Sequence, residues 1–143
     1  MTGRVRQATE ADIPEMMALR LSVRENQLFD PSQVTAEDCR RYVMRGNMWV
    51  WDENSALFGI SAANGDTGWI WALFVRPEHE GRGIGQALFA AACDALIAAG
   101  FRTLRLSTDP DTRAAGFYRA AGWREAGRTP DGELIFEFSV SPV

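Results

Sequence analysis

Three glycines within five residues, Gly81, Gly83 and Gly85, precede a run of apolar residues with helical spacing. Because glycine has no side chain, the backbone N–H groups of such a turn can approach an anion closely. The positive end of the helix dipole adds to the attraction, and Arg82 supplies a cation suited to phosphate oxygens. The turn therefore predicts a phosphate site, or else a tight turn that needs glycine only for its backbone angles.

The turn lies between a predicted strand and a predicted helix. Trp69 to Val75 is short and uniformly apolar, and Pro77 cannot donate to a sheet, so a buried strand is expected to end before it. Small and apolar residues recur at helical spacing from Ile84 onward, which predicts a helix with one continuous apolar stripe. Gly100 stands where a left-handed residue would end that helix.

The remaining elements predict an α+β fold. Thr9 and Thr35 each precede a carboxylate by three residues, a capping pattern that predicts one helix to about Glu25 and another to Gly46. A further short helix is predicted to end at Gly122. The predicted strands are Val5 to Ala8, Met48 to Trp51, Ala56 to Ala62, Trp69 to Val75, Thr103 to Ser107, Trp123 to Ala126 and Glu133 to Val140. We expect a mixed sheet of about seven strands with about four helices, centred on a right-handed strand–helix–strand unit.

Composition limits the function. With 143 residues, 46% apolar and 24% charged, the chain is expected to form one globular domain. No apolar run reaches membrane-spanning length and the N-terminus lacks the apolar core of a signal peptide, so a cytoplasmic protein without a membrane partner is expected. Two cysteines and a single histidine make a zinc site or a disulfide framework an unpromising interpretation, and no metal is predicted.

The charged residues exclude several kinds of chemistry. All 15 basic residues are arginine, so the chain has no phosphate-binding loop of the Gly-Lys-Ser/Thr type, no Schiff-base lysine and no lysine general base. The net charge of −4 argues against a large nucleic-acid surface.

Two motifs in combination identify a family. The segment Val75 to Gly85, with Gly116 to Trp123 about thirty residues later, resembles the GNAT superfamily of acetyl-CoA-dependent N-acetyltransferases. The order of strands and helices from Val5 to Val140 is similar to that family as well. The resemblance implies a single N-acetyltransferase domain over residues 1–143, with acetyl-CoA as cosubstrate. It also implies direct attack on the acetyl group by a primary amine of a small molecule or peptide in a ternary complex.

The resemblance assigns a cosubstrate site. Strand residues lend backbone groups to the pantetheine arm, and the glycine turn lends N–H groups to the diphosphate. Glu80 stands where the family usually has Gln or Arg, so its carboxylate turns to solvent or to Arg82, or else it lowers affinity. Asp111 stands where the family often has Asn, and it can cap the following helix but offers no donor when ionised. The implied binding residues are Phe74, Val75, Gly81, Arg82, Gly83, Ile84, Gly85, Gln86 and Asp111.

Acylation of an amine by a thioester requires a neutral amine, donors for an oxyanion and an acid for the leaving thiolate. A thiol pKa of about 8.5 and a phenol pKa of about 10 are close enough for a positioned tyrosine to supply the proton. Tyr118 is predicted to be that acid, and the alternative is a core aromatic beside Phe117. If the strand that ends at Val75 separates from its parallel neighbour, its N–H groups are available for the oxyanion. A relayed water, Glu25 or His79 could act as the base.

An aromatic set predicts the acceptor pocket. In the family this pocket is built by the loop after the first helix, the central strands and the last hairpin. Strand alternation puts Trp49 and Trp51 on one face, and Trp69 and Trp71 likewise. One pair could line a pocket for an apolar or cationic amine, with Phe29 from the loop, or both pairs could be core. The C-terminal hairpin would permit a homodimer.

Two other functions compete with catalysis. A module that keeps the fold could bind acyl-CoA as a sensor or regulator, and Glu80 and Asp111 favour that interpretation while Tyr118 favours catalysis. A dinucleotide-binding domain would also place glycines before a helix. The spacing Gly81-x-Gly83-x-Gly85 departs from G-x-G-x-x-G, however, and the region about twenty residues further on lacks the expected acid.

Overall fold

In the computed structural model the described residues are 3–22 and 35–140. Within them seven strands form one mixed sheet with four α-helices, which confirms the predicted α+β architecture. The strands are β1 (Arg4–Gln7), β2 (Met48–Glu53), β3 (Ala56–Asn64), β4 (Trp69–Val75), β5 (Thr103–Thr108), β6 (Arg124–Arg128) and β7 (Leu134–Ser139). The helices are α1 (Ile13–Ser22), α2 (Ala36–Met44), α3 (Ile84–Ala98) and α4 (Arg113–Ala120).

The capping signals predicted from the sequence are present with one correction, and the predicted end of the first helix near Glu25 lies outside the described residues. Capping boxes form at Thr9 and at Thr35, although the first one opens a short 3₁₀ turn that continues into α1. Gly100 has φ +100° just after α3, as the left-handed ending requires. The cap of α4 is Thr112 and not Asp111, because the Thr112 hydroxyl accepts a hydrogen bond from the N–H of Ala115.

The sheet order is β1-β2-β3-β4-β5-β7-β6, and β4 with β5 is its parallel pair. Every other pair is antiparallel, including the predicted hairpin of β2 and β3. The α3 crossover between β4 and β5 confirms the predicted strand–helix–strand unit. Strand β6 is exposed at one edge of the sheet, and homodimer formation through this hairpin stays a prediction.

Each face of the sheet has its own core. Leu88 and Leu96 of α3 and Tyr118 of α4 join one cluster, to which β5 and β7 also contribute. Met16 and Leu19 of α1 and Cys39 of α2 belong to the other cluster, on the opposite face. The sheet therefore separates a face covered by α3 and α4 from a face covered by α1 and α2.

Two features are absent from the described residues. None of their helices is both long enough and apolar enough to cross a membrane. Their His, Cys, Asp and Glu side chains form no group of three that could hold a metal ion.

Candidate functional site

A cavity of about 570 Å³ lies where β4 and β5 separate. All of β4 lines it, together with the end of β5, the glycine turn, the start of α4 and Glu133 before β7. It brings together most of the residues that the sequence predicted for the site: Phe74, Val75, Gly81, Gly83, Gly85, Gln86 and Tyr118.

A bulge in β4 accompanies its separation from β5. Opposite β4, Ala62 pairs with Ala72 and Ala63 pairs with Ile70, so that Trp71 is an extra residue in the ladder. A bulge of this kind bends its strand. Trp69 with Arg105 is the one paired position that β4 and β5 have among the described residues, and beyond it the cavity opens.

The edge of β4 that faces the cavity carries backbone donors. The N–H of Arg76 donates to the carbonyl of Phe58 over 2.8 Å, on the β3 side. In an antiparallel ladder the direction of these groups alternates along the strand, so the N–H groups of Val75 and Leu73 point away from β3. They therefore point toward the gap between β4 and β5, as the oxyanion prediction requires.

The glycine turn forms an open cradle. Gly81 and Gly83 have φ of +82° and +83°, which other residues adopt only with strain, and a Cβ on either one would meet no atom within 4 Å. Gly83 is the N-cap of α3, and no side chain caps that helix, whereas threonines cap α2 and α4. The first N–H groups of α3 thus have no side-chain acceptor and are open to an anion.

The Arg82 side chain belongs to a separate cluster. Its guanidinium donates to both oxygens of Glu53 at 2.9 and 3.1 Å, and one of its nitrogens lies 3.2 Å from Nδ1 of His79. The His79 ring stacks on Phe58 with 3.7 Å between centroids. Hydrogen bonds from Trp51 and then from Arg82 lower the pKa of Glu53. Arg82 is absent from the cavity lining, so its side chain is held beside the turn and not inside the cradle.

Glu80 faces a different partner from the one considered for it. Its carboxylate forms an ion pair with Arg113 at the start of α4, and both residues line the cavity. Of the alternatives considered for Glu80, Arg82 as its partner is therefore wrong, and a lowered affinity for the cosubstrate stays a prediction. The pair joins the glycine turn to α4 beside the cradle.

Tyr118 is both a cavity residue and a core residue. It is 5% exposed, and its ring packs against Phe89, Trp123 and Phe136 at centroid distances of 5.4 to 6.2 Å. Burial, and then the neighbouring Cys93, raise the pKa of Tyr118 well above its ordinary value. The phenol is therefore protonated at neutral pH, as a proton donor must be, although the rise makes it a weaker acid.

Two other predicted residues lie outside the cavity lining. Ile84 is buried in the core under α3, and Asp111 is exposed in the loop before α4, where its N–H bonds to the Asp109 carboxylate over 3.2 Å. Glu25 and Phe29 fall outside the described residues.

The two tryptophan pairs have different roles. Trp49 is buried in the core on the α3 face, and Trp51 packs against that core. Trp69 and Trp71 line the cavity, and Trp71 stacks on Tyr42 of α2 with 4.3 Å between centroids. Trp71 also borders a second hollow of about 310 Å³, which opens beside α2.

Sequence reasoning missed several polar residues of the cavity, among them a hydrogen-bonded pair that joins β5 to the residue before β7. The hydroxyl of Ser107 on β5 donates to a carboxylate oxygen of Glu133 over 2.7 Å, and both residues line the cavity. The missing signal was the pairing of β5 with β7, which brings together residues 26 positions apart.

The chain matches known proteins over most of its length. The model described as the Acetyltransferase (GNAT) family matches residues 14–123. The uncharacterized N-acetyltransferase ycf52 of Pyropia yezoensis is 31% identical over 84 residues. Those residues are 57% of this chain and 45% of that protein, so the match spans less than half of the relative.

Solved structures share the fold at low identity. PaiA N-acetyltransferase from Thermoplasma acidophilum, in complex with coenzyme A, superposes with a TM-score of 0.80 and 15% identity, over 97% of this chain and 99% of that one. The structure of yncA from Salmonella typhimurium, with its cofactor acetyl-CoA, gives a TM-score of 0.78 and 15% identity over 100% of this chain and 96% of that one. Together with the cavity at the divergence of β4 and β5, the family match establishes that the chain belongs to the GNAT family of acetyltransferases.

Proposed function

We propose that the protein transfers an acetyl group from acetyl-CoA to a primary amine of a small molecule or peptide, by direct attack in a ternary complex. The observation that carries this proposal is the meeting of three features in one cavity: the glycine cradle, the unpaired edge of β4 and Tyr118. Each feature serves a different part of the reaction. Acetyl-CoA supplies the activated acetyl thioester, and the protein binds it, orients it and moves protons.

The glycine turn suits the diphosphate of coenzyme A. The positive φ angles of Gly81 and Gly83 and the empty space beside them leave room for phosphate oxygens against the backbone. The N–H groups at the start of α3 are donors there, and the helix dipole adds a favourable field. PaiA and yncA were solved with coenzyme A and acetyl-CoA, and their fold is that of this chain.

The edge of β4 suits the acyl group. The N–H groups of Leu73 and Val75 point into the gap, where they can donate to a carbonyl oxygen that becomes negative during attack. Backbone donors held by a sheet need no reorganisation when that charge develops, and this lowers the barrier.

Tyr118 is the proposed proton donor to the departing thiolate. It stands on the α3 and α4 side of the gap and lines the cavity. Its hydroxyl gives up a proton as the carbon–sulfur bond breaks, and the proton that the new amide loses restores it through solvent or directly.

An acyl-CoA sensor is the second candidate, because the burial of Tyr118 that raises its pKa disfavours proton transfer. Incubating the protein with acetyl-CoA and a panel of amines, polyamines, amino acids and peptides, while free thiol is measured, separates the two. Amine-dependent release of coenzyme A supports transfer. Tight binding in calorimetry without release on any acceptor would favour the sensor.

A further inference from the structure

We infer that Glu133, held by Ser107, is the residue that binds the protonated acceptor amine and removes its proton. This inference rests on the proposed transfer reaction and adds a general base to it. Strand β4 carries no carboxylate that could take this role. Of the residues that the sequence offered as a base, Glu25 lies outside the described residues, and His79 stacks on Phe58 beside Arg82.

Glu133 lies on the face of the gap opposite Tyr118. Leu104 and Leu106 of β5 point into the core on the α3 face. Ser107 follows Leu106 along the strand, and because side chains alternate it points to the opposite face. The hydrogen bond of 2.7 Å from Ser107 places the Glu133 carboxylate there too. Tyr118 belongs to the core on the α3 face. The gap between β4 and β5 thus has a proton donor on one face and a carboxylate on the other.

Glu133 has no cationic partner among residues 3–20 and 35–140. Glu137, further along the same hairpin, forms ion pairs with both Arg105 and Arg124. No arginine lies within ion-pair distance of Glu133 among residues 3–20 and 35–140, and its side-chain partner there is the neutral Ser107 hydroxyl. A half-buried carboxylate of this kind, in a cavity whose lining is largely apolar, attracts a cation.

The carboxylate is also fixed in direction. The N–H of Glu133 donates to the Thr129 hydroxyl over 3.1 Å, and its carbonyl accepts from the N–H of Thr129 over 2.9 Å. The hairpin fixes the backbone of Glu133, and Ser107 holds one of its carboxylate oxygens. The other carboxylate oxygen is therefore available to the ammonium group of the acceptor substrate.

The reaction balances in protons and bonds. The ammonium group of the acceptor gives one proton to Glu133, and the neutral nitrogen attacks the acetyl carbon. A carbon–nitrogen bond forms, the carbon–sulfur bond breaks, and the thiolate takes a proton from Tyr118. The amide nitrogen loses its second proton, which restores Tyr118, and Glu133 releases its own proton to solvent.

Other ionisable groups share this cavity, and a substitution of Glu133 leaves all of them in place. Among the described residues these are Tyr118 and Arg113 of α4, and His79 and Glu80 of the turn after β4. Neither β4 nor β5 contributes an ionisable side chain to the lining. A ratio of rates between variant and wild type therefore isolates the effect of Glu133.

The test is Glu133→Gln, assayed with the best acceptor of the amine panel between about pH 7 and pH 9. At pH 7 kcat/KM should fall on the order of 100-fold, the usual contribution of a general base. Without a base the variant must wait for neutral amine, whose fraction rises about tenfold per pH unit below the amine pKa. The ratio of variant to wild type should therefore rise with pH at about that slope. Ser107→Ala keeps the carboxylate but removes its hydrogen bond, and kcat/KM of this variant should fall about fivefold.

Two controls keep the result interpretable. Glu125→Gln removes an exposed carboxylate of the same hairpin, paired with Arg119, and should leave kcat/KM unchanged. Calorimetric binding of acetyl-CoA to Glu133→Gln should match wild type, which shows an intact cavity.

A ratio that is constant with pH, or no loss at pH 7, would overturn the role of Glu133 while wild-type turnover still supports the proposed function. If wild type turns over no amine at all, the proposed function fails and this inference fails with it.

Discussion

One part of the cavity lining, the glycine turn, presents the backbone of a single segment, whereas in another part Tyr118, Ser107 and Glu133 present side chains from three separate elements. The turn needs only backbone angles and the absence of side chains, as the positive φ of Gly81 and Gly83 indicates. The side-chain part depends on contacts between distant elements: the pairing of β5 with β7 brings Ser107 to Glu133, and the packing of α4 places Tyr118. We expect mutations in the backbone part to change binding and mutations in the side-chain part to change turnover.

The largest expected effect is in the side-chain part. Tyr118→Phe should reduce turnover at saturating substrates on the order of 100-fold, because the variant has no proton for the thiolate. The affinity for acetyl-CoA should hardly change, since the ring and its packing against Phe89 and Phe136 are kept. Steady-state kinetics and calorimetry measure the two quantities. Unaltered turnover would remove Tyr118 from the chemistry.

The next effect is in the backbone part, the glycine turn. Gly83→Ala puts a side chain at a left-handed position, which costs about 1–2 kcal/mol of stability, and the new methyl group enters the cradle. Acetyl-CoA should bind about tenfold more weakly, equal to about 1.4 kcal/mol.

Gly100→Ala is the matched control for this change. Its φ of +100° imposes similar strain, with nothing within 4 Å, but it lies after α3 and away from the cavity. Urea unfolding should show comparable losses of stability in both variants, and calorimetry should show weaker acetyl-CoA binding in Gly83→Ala alone. Equal affinities would mean that the turn is only a structural feature.

A smaller effect, of opposite sign, is expected at Glu80. Glu80→Gln removes a carboxylate that competes with phosphate for the Arg113 guanidinium. Acetyl-CoA should bind about threefold more tightly, a difference within the usual range for an exposed ion pair. Glu78→Gln, exposed in the same segment and absent from the cavity lining, is the control and should leave the affinity unchanged. Weaker binding by Glu80→Gln would show that the carboxylate supports the site.

The smallest effect distinguishes two possible roles of the Arg82 side chain, an ion pair with Glu53 and a direct contact with phosphate. If its side chain acts only through Glu53, Arg82→Gln and Glu53→Gln should weaken acetyl-CoA binding equally, by about twofold to threefold, the size of one exposed pair. Calorimetry on both variants gives the comparison. A much larger loss in Arg82→Gln alone would mean that the guanidinium contacts phosphate directly.

The same contrast explains what the sequence could predict. The glycine turn, α3 and the strand that precedes them are continuous in sequence, so the spacing of their residues is enough to predict them. The architecture could be predicted from the sequence as well, because alternation marks the strands, and capping residues and glycines mark the ends of short elements. Tyr118 was found through a motif, although its depth of burial could not be read from that motif.

The parts that escaped prediction depend on distant pairing. The bulge at Trp71 depends on the register of β3 against β4, and it lies just beyond the paired position of β4 and β5. The hydrogen bond between Ser107 and Glu133 depends on the register of β5 against β7. Side-chain choices such as Glu80 with Arg113, or Arg82 with Glu53, depend on loops that no periodic pattern describes.

Thermal unfolding of the wild-type protein with acetyl-CoA, and separately with NAD, tests the central claim most directly, because that claim is an acyl-CoA site at the glycine turn. A ligand present at 100 times its Kd raises the free energy of unfolding by about 2.7 kcal/mol. For a chain of this size that corresponds to a rise in Tm on the order of 10 °C. We predict such a rise with acetyl-CoA and none with NAD. No rise with acetyl-CoA, or an equal rise with NAD, would contradict the account.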